Sequence, residues 1–198
     1  MEVILINNTE LFYAINHINS PFLDVLMPII SEFGNLIVWF FICAILFLFG
    51  GEKGKRVAIL AILALILSSV VVGILKYVVA APRPFVTLEN VRLLTDDALG
   101  YYTSFPSGHT SGSFAFAVVV GLKYKIRFLR NLRLIYPLLI YATLIGFSRI
   151  YIGVHYPIDV LFGALIGIIS AIIILKLENK IFKTDYSNSN HNETFKNA

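Results

Sequence analysis

Charge is scarce in this chain: Asp, Glu, Lys and Arg make up 14% of its 198 residues, against about 25% in soluble domains. Cysteine is scarcer still. The single Cys43 excludes an intrachain disulfide and, lying in an apolar run, says nothing about redox compartment. The N-terminus lacks the basic start of a signal peptide, and no small-residue cleavage site follows it. No internal repeat and no second domain are visible. What is abundant is apolar surface, with 58% hydrophobic residues and a mean hydropathy of +0.80. Such a chain needs a bilayer around it.

The hydrophobic pattern predicts an all-α, polytopic transmembrane bundle. Residues 1–20 are too short and too polar to span. Leu11, Phe12, Ile15 and Ile18 recur there at helical spacing, which predicts an interfacial helix. Five spans are expected at about 25–49, 57–80, 107–122, 134–150 and 157–177. The third and fourth are short and should be buried beside other helices. Residues 1–183 read as a single membrane-embedded domain. Residues 184–198 are polar, with nothing to bury, and read as a disordered tail.

Lys53, Lys55 and Arg56 follow the first span. Lys123, Lys125, Arg127, Arg130 and Arg133 follow the third, and Lys176, Lys180, Lys183 and Lys196 lie at or beyond the end of the fifth. Basic loops stay cytoplasmic, so the C-terminus is expected inside and the N-terminus outside a multi-pass cell-membrane protein. The cluster from Lys123 to Arg133 reads as a solvated loop rather than a nucleic-acid site. The other four basic residues, Lys76, Arg83, Arg92 and Arg149, map to the outer ends of the spans.

Ionisable residues at the rim of a membrane helix mark a functional site by default. Here the second span ends in KYVVAAPRP, the third opens on FPSGH, and the fourth and fifth are joined by SRIYIGVHYPID. All three segments reach the outer face in the topology set by charge. Lys76, Arg83 and Arg149 at one depth would repel one another unless they shared an anion, and phosphate suits them. The start of the third helix adds backbone donors, Ser107 a hydroxyl, and Gly108 close backbone approach. His155 and Asp159 are four apart where a helix would begin. The carboxylate can therefore fix one imidazole nitrogen and leave the other for nucleophilic attack, while His109 moves protons. The residues alone do not say which histidine attacks.

The three segments read Lys76 to Arg83-Pro84, Pro106-Ser107-Gly108-His109, and Ser148-Arg149 to His155 to Asp159. This pattern resembles the type 2 phosphatidic acid phosphatase (PAP2) superfamily, which includes vanadium haloperoxidases, without departure at any motif position. The resemblance implies a haloperoxidase-like helical core and a phosphatase that uses neither metal nor cofactor. His155 would be the nucleophile, forming a phosphohistidine, with Asp159 orienting it and His109 serving as general acid and then base. Lys76, Arg83, Ser107, Gly108 and Arg149 would hold the phosphate. The run Asn19-Ser20-Pro21-Phe22-Leu23-Asp24 is similar to the bacterial-type undecaprenyl pyrophosphate phosphatases of that superfamily. A polyprenyl diphosphate is then the expected substrate, reached from the outer leaflet, with phosphatidylglycerophosphate or phosphatidic acid next. A lipid-binding or transport protein that kept the fold without turnover would be expected to have lost a motif residue, and none is missing.

Other features carry smaller expectations. Tyr77, Tyr101, Tyr102, Tyr151 and Tyr156 read as an interfacial aromatic belt. Gly163 and Gly167 read as close packing inside the bundle. Glu32 is expected to pair with a basic residue, or else to line the entrance. The segment from Phe85 to Phe105 is long enough to shape a headgroup entrance. Nothing in the sequence fixes oligomeric state.

Overall fold

The computed structural model describes residues 2–96, 103–126 and 132–182. Eight helices follow in order: α1 (Glu2–Asn16), α2 (Pro21–Glu32), α3 (Leu36–Phe49), α4 (Gly51–Val79), α5 (Pro84–Thr87), α6 (Gly108–Lys123), α7 (Ile135–Tyr151) and α8 (Pro157–Ile181). Between α6 and α7, β1 (Lys125–Ile126) and β2 (Leu132–Arg133) form a minimal antiparallel ribbon, with Lys125 opposite Arg133. The expected tail at 184–198 lies outside the described residues, as do Tyr101, Tyr102, Arg127, Arg130 and Lys183.

Helix α6 sits at the centre, packed on α4, α7 and α8, with α3 beside it. Its sequence, GHTSGSFAFAVVVGLK, explains why. Without water to drive helices together, membrane bundles rely on close backbone approach through small residues. Ser111, Gly112, Ser113, Ala115, Ala117 and Gly121 of α6 are all buried. The partner face on α8 is Gly163 and Gly167. A Cβ at Gly163 would lie 2.6 Å from the Ser107 carbonyl oxygen, and one at Gly167 would lie 2.2 Å from that of Ser111. Close packing inside the bundle is therefore what this glycine pair does. Gly167→Leu is expected to drive α8 off α6, so that the purified variant loses its single size-exclusion peak and most of its thermal-unfolding amplitude. A monodisperse Gly167→Leu protein with the parent's unfolding midpoint would refute this packing.

The first expected span departs from expectation: α2 and α3 are separate helices meeting at 58°. Apolar runs flank the junction, where Phe33-Gly34-Asn35 interrupts the backbone. Asn35 caps α3 by accepting from the Ile37 N–H at 3.1 Å. Gly34 is buried where a Cβ would stand 2.5 Å from Ile145 Cγ2, so the break lets the chain press against α7. Among the described residues, only α4 and α8 are long and apolar enough to cross a membrane singly. The bent α2–α3 pair makes a third candidate, and α6 and α7 are shorter. The chain is thus an all-helical membrane protein.

Two boundaries also move. Helix α4 begins at Gly51 rather than near residue 57, so Lys53, Lys55 and Arg56 stand on its first turns. There Lys55 pairs with Glu52 at 2.8 Å. Helix α8 runs on to Ile181, with Glu178 paired to Lys123 of α6. Charges that signalled a loop instead solvate helix ends.

At the other end of the bundle, α1 is docked rather than loose. Phe12 and Asn16 are fully buried, and Phe12 meets the Tyr156 ring at 5.6 Å. The Asn16 amide donates to the carbonyls of Arg92 (2.9 Å) and Tyr151 (2.8 Å) and accepts from the Arg92 N–H (2.9 Å). Arg92 in turn pairs with Asp24 at 2.6 Å, and the Tyr151 hydroxyl donates to the same carboxylate at 2.5 Å. One expectation is corrected by this brace. Arg92 holds α1, α2 and the end of α7 together. Tyr151 is buried in the bundle and does not belong to an interfacial belt. Tyr77, at 88% exposed, remains available to one.

Candidate active site

Each motif residue stands where an element starts or stops, since helix ends are where backbone donors and polar side chains escape the apolar interior. Lys76 is in the last turn of α4, and its Nζ donates to the carbonyls of Thr103 (2.8 Å) and Ser104 (3.1 Å). Arg83 precedes α5 and is buried. Its segment is held by a bridge between Pro82 and Thr103 and by the Ser104 N–H donating to the Ala81 carbonyl at 2.7 Å. Ser107 is the N-cap of α6, with Gly108 and His109 in the first turn. Arg149 is in the last turn of α7 and donates through Nη1 to Ser31 Oγ at 2.5 Å. His155 lies in the connection between α7 and α8, and Asp159 in the first turn of α8.

These residues converge. A cavity of about 430 Å³ is lined by Lys76, Arg83, Gly108, His109, Arg149 and His155, together with Glu32 and Asn35 at the α2–α3 break. Two predicted residues do not line it. Asp159 sits behind His155, its Oδ2 lying 3.4 Å from His155 Nδ1 and accepting the Tyr156 N–H at 2.8 Å, which closes the first turn of α8. Ser107 is fully buried in the wall. Its hydroxyl accepts from Thr110 Oγ1 at 2.9 Å and caps α6, while its N–H donates to the Asp159 carbonyl at 3.0 Å.

Sequence reasoning missed Ser104, Ser31 and Asn35. Ser104 is fully buried, donates to Asp159 Oδ2, and has its Oγ 3.3 Å from His155 Nδ1. Its place two residues before Pro106 was the one available signal. Ser31 and Asn35 carried none, because their approach depends on where the α2–α3 break falls.

The electrostatics are lopsided. Among the described residues, neither Nε nor Nη1 of buried Arg83 has a hydrogen-bond partner, and unsatisfied buried donors are costly. Burial, opposed by Asp159, pulls the Arg83 guanidinium below its ordinary value. Burial first, and then Arg149, Arg83 and Lys76, hold the His155 imidazole well below its usual value, so it is neutral at pH 7. A neutral imidazole with one nitrogen turned to a carboxylate presents the other as a lone pair. Three cations, helix-end donors and that lone pair make a site for an anionic electrophile. Among the described residues no group of three or more His, Cys, Asp and Glu side chains is placed to hold a metal ion.

Comparison with known proteins identifies the family. Residues 57–183 match the PAP2 superfamily. Undecaprenyl-diphosphatase BcrC of Bacillus subtilis is 33% identical over 175 residues, covering 87% of this chain and 84% of that protein. Undecaprenyl-diphosphatase of Sulfolobus acidocaldarius is 32% identical over 161 residues, covering 81% and 73%. The crystal structure of Aquifex aeolicus LpxE superposes with a TM-score of 0.73 at 42% identity, covering 85% of this chain and 94% of that one. With its motif residues gathered around one cavity and its family match running from α4 to the end of α8, the chain belongs to the PAP2 superfamily of membrane phosphatases.

Proposed function

We propose that the protein releases phosphate from a polyprenyl diphosphate of the undecaprenyl type, leaving the lipid monophosphate. The observation that carries this reading is buried Arg83, with Nε and Nη1 lacking acceptors beside neutral His155 in a cavity lined by two further cations. The substrate class rests on the undecaprenyl-diphosphatases among its relatives.

In this mechanism Lys76, Arg83 and Arg149 clamp the terminal phosphate, joined by the backbone N–H groups at the start of α6. Ser107, fully buried in the wall, acts through the helix it caps by fixing the start of α6. The Nε2 lone pair of His155 attacks phosphorus, and the bond to the bridging oxygen breaks as His109 protonates that oxygen. His109 then takes a proton from water, whose oxygen displaces the imidazole and frees inorganic phosphate. Clamping the equatorial oxygens supplies most of the acceleration, as little covalent work falls to the protein in phosphoryl transfer. The cavity lies on the extracytoplasmic side, reached from the outer leaflet between Glu32 and Asn35, with α1 at the membrane surface and the C-terminus cytoplasmic. Five crossings satisfy that arrangement: the bent α2–α3 pair, α4, α6, α7 and α8.

Purified protein in detergent is expected to release phosphate from undecaprenyl diphosphate with equal rates in the presence and absence of EDTA. Turnover restricted to phosphatidylglycerophosphate or phosphatidic acid would reassign the substrate. Turnover abolished by EDTA would overturn the metal-free chemistry, and binding without turnover of any of these lipids would make the protein a carrier.

A further inference from the structure

We infer that Ser104 is a positioning residue for the nucleophile, its hydroxyl standing between the His155 imidazole and the Asp159 carboxylate. The inference rests on the reading of His155 as nucleophile. His155 Nδ1 lies 3.4 Å from Asp159 Oδ2, long for an N–H···O bond, whose usual length is about 2.9–3.0 Å. Ser104 Oγ is as near to Nδ1, at 3.3 Å, and donates to Asp159 Oδ2. One arrangement satisfies all three groups: Nδ1–H donates to Oγ, and Oγ–H donates to the carboxylate. It holds the imidazole in the tautomer with Nε2 bare. All three side chains are buried, Ser104 completely and the other two at 2% exposed, so water does not compete for these bonds.

The main chain of Ser104 ties the same residue to the phosphate-binding groups. Its carbonyl accepts from Lys76 Nζ at 3.1 Å, and its N–H holds the Ala81 carbonyl at 2.7 Å, two residues before Arg83. Thus the residue that orients the nucleophile also sets the cations it must face. Among the described hydrogen bonds Asp159 Oδ2 also accepts the Tyr156 N–H at 2.8 Å and lies 3.4 Å from His155 Nδ1. The serine hydroxyl, not the histidine alone, holds the carboxylate in place.

The test combines kinetics on undecaprenyl diphosphate with ¹⁵N-histidine NMR of the full chain in detergent. Ser104→Ala is expected to lower kcat roughly 10- to 100-fold with KM within about twofold, the range seen when a group supporting an active-site ligand is removed. Ser104→Thr, which keeps the hydroxyl, should restore most of the loss. In an Asp159→Asn background, Ser104→Ala should cost less than about twofold, since both changes break one unit. The His155 signals should move from a single Nδ1–H tautomer toward a mixture in Ser104→Ala. Overturning results are an unchanged tautomer in Ser104→Ala, a kcat within about twofold of the parent, full additivity with Asp159→Asn, or a Thr variant as impaired as Ala. If the parent fails to turn over the diphosphate while its His155 tautomer still depends on Ser104, the substrate reading has failed and the positioning role stands.

Discussion

Replacing His155 with alanine is expected to abolish phosphate release, a fall of roughly 10⁴-fold or more, because the rest of a nucleophile-centred unit contributes little once the nucleophile is gone. The fold should survive. His155 lies in the turn between α7 and α8, and the backbone bonds of that turn, from the N–H groups of Ile152, Val154 and His155 to carbonyls of α7, do not use the imidazole. Lys76, Arg83 and Arg149 remain, so orthovanadate should still raise the thermal-unfolding midpoint of His155→Ala by mass action. Rapid-quench experiments should trap ³²P on the parent and none on the variant. Turnover retained by His155→Ala would remove the proposed nucleophile. Lost turnover together with lost vanadate stabilisation would mean that the cavity itself had collapsed.

The three cations and two histidines were legible in the sequence for a physical reason. A phosphate pocket at the rim of a bundle needs fixed residue types at helix ends, and those ends carry their own marks: Pro84 at the start of α5, Ser107 at the cap of α6, and Pro157 at the start of α8. Charge placed the segments on one face before any motif was invoked. Ser31 was not legible, and Ser104 was marked only by its place before Pro106, as a buried serine leaves no periodic or electrostatic trace. Its meaning comes from the partner that tertiary packing brings, Asp159 in one case and Arg149 in the other. The brace at Arg92 was hidden for the same reason: Asp24 sits 68 residues away in sequence and 2.6 Å away in space. The break between α2 and α3 was hidden because a span-length hydropathy window averages a short polar interruption into the apolar runs on either side, and only the Gly-Asn pair hinted at it.

Arg83→Met is expected to change stability and activity in opposite directions. Met approximates the length of the Arg stem without the charge, and Arg83 is 7% exposed with Nε and Nη1 lacking acceptors. In the ligand-free protein this guanidinium stands near Lys76 and Arg149 at the wall of one cavity, so it costs desolvation and repulsion that Asp159 opposes and a bound anion would offset further. Replacing a buried ion pair with well-packed apolar side chains is often stabilising by about 1–4 kcal/mol; a guanidinium among cations has less attraction to lose, and for a chain of this size each kcal/mol moves the unfolding midpoint by roughly 2–4 °C. The variant's midpoint should therefore rise by several degrees while kcat falls by about 10²- to 10³-fold, the usual loss when one fixed donor to a developing oxyanion is removed. Orthovanadate should stabilise the parent strongly and Arg83→Met weakly. Arg83→Lys keeps the charge without the planar fork and should fall between the two in activity, with no gain in midpoint. A midpoint that drops in Arg83→Met, alongside activity within about tenfold of the parent, would mean that Arg83 is a structural residue satisfied by the fold and that the cavity was not shaped around an anion.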